Sequence, residues 1–362
     1  MGRCPFRLFG GHLKMERKKN LPYPLAFAML IMLLFLAGCG ESGPADQFEL
    51  YMVPKKYFNE SSEKGTVETL TYHVESYAVE AKEGLPAGSL YEDKTLYVYL
   101  PHGYDASRPY NILYLLHGSN ETVDYWFYTQ KTMGAYFREE NKIDNRLFAA
   151  NYTLNVLDNL FAWGDCEPFI VVTPSYFSTL RGETYYGDSR DDTMFWLDSF
   201  EQELRNDIIP LVERTYSTYA NGDVSEEGVF SSREHRAIAG FSRGSRFTTR
   251  IAVPEMLDVF GWFGSFHGWE TLTTQTLRAA LEARPDCPIL YWYNGCGPKD
   301  FMTTEQRTVC QEITEEFSGT LQENVNFAAV DKPEAEHYYD TALLDLYNFS
   351  RVLFRQQEGE PG

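Results

Sequence analysis

The sequence predicts an α/β fold in which a mostly parallel central sheet is covered by helices on both faces. Two observations carry this prediction. From Tyr110 onward the strand candidates are continuous apolar runs, as in strands buried on both faces. These runs alternate along the chain with helical segments, and that alternation is typical of a parallel sheet. The hydrophobic content of 43% in 362 residues is sufficient for a large core.

The N-terminus predicts an export signal. The basic segment MERKKN, residues 15–20, precedes the apolar run 25–37, and LAGC follows, ending at Cys39. The run is short for a membrane-spanning helix, which needs about 20 apolar residues. An uncleaved anchor helix is the alternative. A start at Met15 would give a conventional signal, so we interpret residues 1–14 as lying upstream of the true start.

This arrangement resembles a bacterial lipoprotein signal. The resemblance implies that residues 1–38 are removed and that Cys39 becomes the lipid-bearing first residue. The protein would then lie outside the cytoplasm, anchored to the bacterial cell membrane or secreted. Residues 39–65 begin with the polar GESGPADQ and are predicted to form a tether, and residues 66–362 to form the folded domain.

Charge argues against nucleic acid or anionic lipid as a partner. Residues 1–38 carry six basic groups and one acidic group, so their removal changes the net charge from −20 to −25. A phosphate-binding surface needs clustered Lys and Arg side chains, so neutral substrates are expected. The remaining cysteines fit no zinc-binding spacing. One disulfide among the last three and buried free thiols are both compatible with their positions. These cysteines are Cys166, Cys287, Cys296 and Cys310.

The elements follow in order. Two strands are predicted in 66–79 and 94–104, where apolar and polar residues alternate. Further strands are predicted in the apolar runs 110–118, 168–175, 236–242, 258–268, 288–295 and 325–330. Helices are predicted in 125–141, 200–217, 303–321 and 339–356. Two polar segments, 177–196 and 221–235, interrupt the alternation and are expected to be surface loops that form lids or substrate walls.

The stretch AGFSRGS, residues 239–245, joins the strand candidate HRAIAG to the helix candidate SRFTTRIAVPEM. Glycines two before and two after a serine allow a tight turn that exposes its hydroxyl, the arrangement called a nucleophile elbow. Ser242 is therefore the predicted nucleophile. Because a serine hydroxyl needs a base and an orienting carboxylate, a histidine and an acid should follow it in the chain.

His337, in EAEHYYD, lies after the last strand candidate and before the final helix, where it can reach the elbow. His267 follows the elbow too closely for an acid to intervene and is expected to be a pocket wall. Asp300 follows the strand candidate that ends at Tyr293 and is the predicted acid. Asp331 stands only six residues before His337 and is the weaker candidate.

An oxyanion formed at the ester carbonyl needs backbone donors. One is expected from the amide of Arg243, directly after the nucleophile, and the second from the loop LLHGSNE. There Ser119 is the predicted amide donor, and Gly118 allows its close approach. His117 is interpreted as a structural loop residue.

The order of these segments resembles the feruloyl and acetylxylan esterases of carbohydrate esterase family 1. The segments are VYLPHGYDASRPYNILYLLHGSNETVDYWF, VLDNLFAWGDCEPFIVVTPS, FEQELRNDIIPLVERTY, RAIAGFSRGS, YNGCGPKD and EHYYD. Esterase D and enterochelin esterase-like α/β-hydrolases share the pattern. The resemblance covers roughly residues 90–355 and implies an α/β-hydrolase with a Ser242–Asp300–His337 triad. It implies no metal or organic cofactor.

The elbow departs from the usual family pattern, G-x-S-M-G-G, at Arg243 and Ser245. The Arg243 guanidinium is expected to pair with a neighbouring acid or with an acidic substrate group. The family's S-G after the next strand is replaced by FHGW, which places His267 and Trp269 near the expected pocket. Trp126 and Trp196 are further candidates for stacking on a sugar or phenolic ring.

The sequence therefore predicts a serine esterase that acts through an acyl-enzyme on acyl or feruloyl esters of plant polysaccharide. Alternatives within the enzyme class are hydrolysis of a siderophore ester or another small ester, and acyl transfer to a sugar. A different class, a catalytically inactive carbohydrate-binding surface lipoprotein, would need no triad.

Overall fold

A computed structural model describes residues 52–119, 121–128, 151–181, 190–332 and 335–355. The predicted signal, Cys39 and residues 40–51 of the predicted tether lie outside this range. Among the helices that the structure describes, none is both long and apolar enough to cross a bilayer. The four described cysteines are free thiols, and three of them are buried.

One eight-stranded sheet runs through the molecule in the order β1-β2-β4-β3-β5-β6-β7-β8. β2 is antiparallel to both β1 and β4, and every other neighbouring pair is parallel, which confirms the predicted architecture. The strands are β1 Thr66–Glu75, β2 Tyr91–Leu100, β3 Ile112–Leu116, β4 Ile170–Thr173, β5 Arg236–Phe241, β6 Trp262–Phe266, β7 Tyr291–Cys296 and β8 Phe327–Asp331.

The apolar runs become strands because both faces of the central sheet are covered. All five residues of β3 are buried, and they alternate between two hydrophobic clusters. Leu113 and Leu115 belong to one cluster, and Ile112, Tyr114 and Leu116 to the other. Because β3, β5, β6 and β7 are parallel, their carboxyl ends meet at one edge of the sheet, where ligand sites of such folds form.

Helices cover both faces. Residues of α2 and α10 pack in one cluster, and residues of α3, α4, α6, α8 and α9 in the other. The helices are α1 Tyr77–Glu83, α2 Thr153–Ala162, α3 Arg190–Glu203, α4 Ile209–Thr215, α5 Glu226–Ser231, α6 Arg243–Phe247, α7 Val253–Glu255, α8 Thr274–Ala283, α9 Thr304–Glu316 and α10 Tyr339–Ser350. One π-helical turn joins α3 to α4, and another joins α6 to α7.

Three local predictions differ from the structure. Val53, Tyr57 and Phe58 are buried in the core, so the packed chain begins ahead of residue 66, inside the predicted tether. The predicted helix 125–141 is, in its described part, a 3₁₀ turn at Val123–Tyr125 followed by turn residues, and 129–141 lie outside the description. Helix α2 was not predicted.

The predicted surface segments are partly integrated into the core. In 221–235, Ser225 caps α5, and the buried Arg233 donates hydrogen bonds to three backbone carbonyls. That segment is therefore a packed connection, which corrects its prediction as a lid. In 177–196, Phe177 and Trp196 are buried, and residues 182–189 lie outside the described range.

Candidate active site

Ser242 occupies a sharp turn between β5 and α6. Its backbone has φ 57° and ψ −109°, a conformation rare for a residue with a side chain. The flanking glycines make the turn possible. A Cβ on Gly240 would lie 2.4 Å from the carbonyl carbon of Gly244, and a Cβ on Gly244 would lie 2.8 Å from the carbonyl oxygen of His117. The local geometry is therefore that of a nucleophile elbow.

The structure brings Ser242, His337 and Asp300 into one hydrogen-bonded chain. Ser242 Oγ lies 2.8 Å from His337 Nε2, and His337 Nδ1 lies 2.8 Å from Asp300 Oδ2. Since a carboxylate only accepts, His337 carries its proton on Nδ1, which leaves Nε2 free to accept the serine proton. The three residues come from the carboxyl ends of β5 and β7 and from the loop before α10.

The Asp300 carboxylate is surrounded by donors. The Met302 amide donates to Oδ1 over 2.7 Å, and His267 Nδ1 approaches Oδ2 to 2.5 Å. Burial raises the pKa of Asp300, but the hydrogen bonds from His267 and His337 outweigh it and hold that pKa well below its ordinary value. Asp331, the weaker candidate acid, instead pairs with Arg307 at the surface.

His267 differs from its prediction as a pocket wall. Its side chain is fully buried and contacts the Asp300 carboxylate. The sequence places His267 at the end of β6 but gives no sign that its ring turns inward toward the acid. The positive φ of 54° at this residue is what the sequence does not reveal.

The predicted oxyanion loop lies beside the nucleophile. A Cβ on Gly118 would come within 3.4 Å of Ser242 Cβ and 3.1 Å of the Phe241 ring, so this loop packs directly on the elbow. Ser119 follows it and is half-buried. Arg243 begins α6, where backbone amides have no partner within the helix.

His117 shapes the oxyanion loop. Its Nδ1 lies 2.8 Å from the Gly118 carbonyl oxygen and its Nε2 lies 3.0 Å from Ser175 Oγ. The ring is buried and stacks on Tyr176, which itself donates to the Gly118 carbonyl. These contacts support its interpretation as a structural loop residue.

The two residues that depart from the family pattern are buried. Ser245 Oγ donates to the Gly268 carbonyl over 2.6 Å, which ties the elbow to the end of β6. The Arg243 guanidinium carbon lies 5.6 Å from the centre of the Phe177 ring, in a cation–π contact. That ring belongs to the segment after β4, so Arg243 links the elbow to it.

The three tryptophans predicted to contact substrate are core residues. Trp126, Trp196 and Trp269 are at most 2% exposed. The indole N–H of Trp126 donates to the Leu116 carbonyl and that of Trp269 to the Leu272 carbonyl. Because their faces are covered by protein, the prediction that they stack on substrate is corrected.

Two phenylalanines that the sequence did not single out contact His337. Phe241 stacks on the imidazole with centroids 4.7 Å apart, and Phe301 lies 5.2 Å from it on a tilted ring. Phe301 is 77% exposed, the largest value among the exposed large hydrophobic side chains of the described residues. Its position next to Asp300 in the sequence was the available signal.

Within the described ranges, one set of side chains has the spacing of metal ligands. The ligand atoms of His267, Asp300 and His337 lie within 4.8 Å of one another. Both imidazoles, however, direct a nitrogen to the same carboxylate oxygen at hydrogen-bond distance. Hydrogen bonding therefore accounts for this cluster.

Comparisons with known proteins agree with this geometry. The model of a family described as "Putative esterase" matches residues 87–269, about half of the chain. The matched range includes Gly118, Ser119 and Ser242 and ends before Asp300 and His337.

Two curated relatives and one solved structure illustrate the similarity. Endo-1,4-beta-xylanase Y of Acetivibrio thermocellus is 35% identical over 176 residues, 48% of this chain and 13% of that protein. Endo-1,4-beta-xylanase/feruloyl esterase of Xylanibacter ruminicola is 28% identical over 214 residues, 57% of this chain and 23% of that protein. The chain thus spans a quarter or less of these relatives.

A solved structure shares the fold. It is a serine-to-alanine mutant of the feruloyl esterase module from Clostridium thermocellum, complexed with sinapinate. The TM-score is 0.66 at 23% identity, covering 89% of this chain and 99% of that one.

Proposed function

The chain belongs to the esterase family, and from this premise we propose that it is a serine carboxylic-ester hydrolase that works through an acyl-enzyme on Ser242. The observation that carries the proposal is the hydrogen-bonded chain from Ser242 Oγ through His337 to Asp300. A serine hydroxyl, a base and an orienting carboxylate in this geometry are the requirements of nucleophilic acyl transfer.

In the first half-reaction Ser242 Oγ attacks the ester carbonyl carbon and transfers its proton to His337 Nε2. The carbonyl π bond becomes the oxyanion, which the backbone amides of Arg243 and Ser119 would stabilise. When the oxyanion collapses, the bond to the alcohol oxygen breaks, and His337 gives its proton to the leaving alcohol.

In the second half-reaction water takes the place of the alcohol. His337 removes a proton from water as the oxygen attacks the acyl carbon, and returns it to Ser242 as the acid leaves. Asp300 remains ionised throughout and stabilises the imidazolium that forms twice in each cycle.

For substrate we propose acyl or feruloyl esters of plant polysaccharide. The names of the two curated relatives, a xylanase and a xylanase/feruloyl esterase, support this class. The strongly negative net charge also favours a neutral polysaccharide over an anionic one.

The test uses a protein that starts near residue 45, assayed with p-nitrophenyl acetate, methyl ferulate and feruloylated xylan, beside Ser242→Ala. We expect the wild type to release free acid into water and Ser242→Ala to lose nearly all of this activity. Ser245→Ala is the matched control, since it removes a nearby buried hydroxyl without removing the nucleophile. Equal inactivity of folded wild type and Ser242→Ala would instead favour a carbohydrate-binding protein.

We further propose that the enzyme is exported and lipid-anchored through Cys39, on the strength of the basic segment, apolar run and LAGC described above. Metabolic labelling with a tritiated fatty acid in a bacterial host tests this. Label should appear in the full chain and be absent from Cys39→Ser. Equal labelling of both proteins would contradict the proposal.

A further inference from the structure

One oxygen of Asp300 accepts hydrogen bonds from two histidines. Oδ2 lies 2.8 Å from His337 Nδ1 and 2.5 Å from His267 Nδ1. A triad of Ser242, His337 and Asp300 uses the first of these bonds. The second, from a fully buried imidazole on a different strand, has no part in the proton transfers described above.

The backbone holds the His267 ring in this position. The residue has φ 54°, and its amide donates to the Gly295 carbonyl over 2.9 Å at the end of β7. The next amide, that of Gly268, donates to the Gln306 side chain. A side chain at positive φ is costly, so this conformation is retained by the contacts around it.

Behind the ring lies a buried ionic cluster. His267 Nε2 is 3.4 Å from Asp345 Oδ2 on α10, and the other oxygen of Asp345 accepts from Tyr293 and from the ammonium group of Lys332. Asp345 and Lys332 are completely buried. A buried charged group is costly unless it is paired, so this arrangement anchors the far side of the imidazole.

The protonation of His267 follows from the groups that face it. These are Asp300 after β7, Asp345 on α10, Lys332 after β8, Tyr293 on β7 and His337 before α10. Burial and the Lys332 charge lower the pKa of His267, against the opposing effect of the two carboxylates. The ring is therefore neutral at pH 7, and its single proton belongs on Nδ1, where the Asp300 carboxylate accepts it.

We propose that His267 is a positioning residue that fixes the Asp300 carboxylate for His337. The inference rests on the proposed function. Asp300 is held at Oδ1 by the Met302 amide and at Oδ2 by His267. With both contacts in place, Oδ2 stays directed at His337 when the serine proton arrives.

Two polar variants separate this role from general support of the fold. In His267→Asn the amide N–H lies close to the place of Nδ1 and still reaches Asp300. In His267→Gln it lies close to the place of Nε2, toward Asp345. We expect His267→Asn to keep kcat within about threefold of the wild type and His267→Gln to lose about 10- to 100-fold, the effect of one charge-assisted hydrogen bond.

The pH profile provides a readout that a structural defect does not move. Without the His267 donor, the negative charge of Asp300 acts more strongly on His337, which then binds its proton at higher pH. The acid limb of kcat/KM should move up by about half a pH unit in His267→Gln and stay in place in His267→Asn. Rates are normalised to the active fraction, titrated with a fluorophosphonate.

Equal kcat and an unmoved acid limb in both variants would overturn the proposal. If neither variant folds, proton NMR of the wild type decides, because a hydrogen bond to the carboxylate places each Nδ1 proton at low field. Two such resonances are expected, and one should persist in His337→Ala. A single resonance that disappears in His337→Ala would also overturn it. Activity of the wild type on methyl ferulate tests the proposed function separately.

Discussion

Gly240 and Gly244 touch across the nucleophile elbow. A Cβ on Gly240 would approach the carbonyl carbon of Gly244 to 2.4 Å, closer than a Cβ atom can lie to backbone. The strand can therefore turn into α6 only if both positions lack a side chain. This contact explains physically why two glycines flank Ser242 in the sequence.

Gly240→Ala should therefore damage the turn that exposes Ser242. The new methyl group meets backbone, which cannot move aside as a side chain does. We expect a loss of about 1 to 3 kcal/mol in the free energy of unfolding, typical of overpacking. A displacement of the nucleophile by about 1 Å should also lower kcat roughly 100-fold. Urea unfolding and p-nitrophenyl acetate hydrolysis measure the two effects.

Gly319→Ala is the matched control for that substitution. A Cβ at Gly319 meets no atom within 4 Å, and this glycine lies far along the chain from the elbow. Its stability and activity should equal those of the wild type. Wild-type kinetics in Gly240→Ala would contradict the proposed steric role of Gly240.

The two candidate acids of the sequence can be compared by one substitution each. Asp300→Asn should lower kcat about 1,000- to 10,000-fold, because an amide cannot hold His337 in the required tautomer or stabilise its charge. Asp331→Asn removes a surface contact with Arg307 and should leave kcat unchanged. Measurements of kcat with methyl ferulate at pH 7 test both, and a larger loss in Asp331→Asn would reverse the assignment.

Most of the fold was predictable because its signals are local. Continuous apolar runs such as ILYLL in β3 indicate strands buried on both faces, and the helical segments between them impose a parallel sheet. Helix α2 was missed although it buries Val156, Leu157 and Leu160. The burial of Val53 and Tyr57 was missed because the short segment that carries them is held by tertiary contacts alone.

The residues of the candidate triad were predictable from chain order, whereas the surroundings of the triad were not. Ser242, Asp300 and His337 each follow a strand candidate, and parallel strands bring such positions together. Whether an aromatic side chain lies in the core or at the surface depends on packing between distant segments. Trp269 is therefore buried although it follows β6, and Phe301 is exposed although it follows Asp300.

Activity at acid pH should reflect one titrating group. Since hydrogen bonds hold the pKa of Asp300 well below its ordinary value, this carboxyl remains ionised where a normal aspartate, with a pKa of about 3.9, would take up a proton. Between about pH 4 and 6, log kcat/KM should rise with a slope of one. A slope of two in that range, measured with the enzyme shown to be folded, would mean that Asp300 also titrates there.

The same depressed pKa has a consequence for stability. A carboxyl whose pKa is lower in the folded protein contributes stability above its unfolded pKa and loses that contribution as pH falls toward the folded value. The difference in unfolding free energy between wild type and Asp300→Asn should thus be constant from pH 5 to 7 and change only below about pH 4. Urea unfolding across this range measures it.

Phe301 should affect the alcohol part of the substrate more than the acyl part. His337 delivers its proton to the leaving alcohol, so the alcohol departs on the side of the imidazole, and the exposed Phe301 ring lies 5.2 Å from that imidazole. A sugar ring leaving there can cover the phenyl face and bury apolar surface. Loss of this contact in Phe301→Ala should cost about 0.5 to 1.5 kcal/mol, or two- to tenfold in kcat/KM.

The experiment compares two esters with the same acyl group, methyl ferulate and a feruloylated xylo-oligosaccharide. Phe301→Ala should lose activity on the oligosaccharide and keep it on the methyl ester, since methanol is too small to reach the ring. Phe301→Tyr retains the aromatic face and should behave as the wild type on both. An equal loss on the two esters would assign Phe301 to the support of His337, because only a defect in the shared proton transfer would be indifferent to the alcohol.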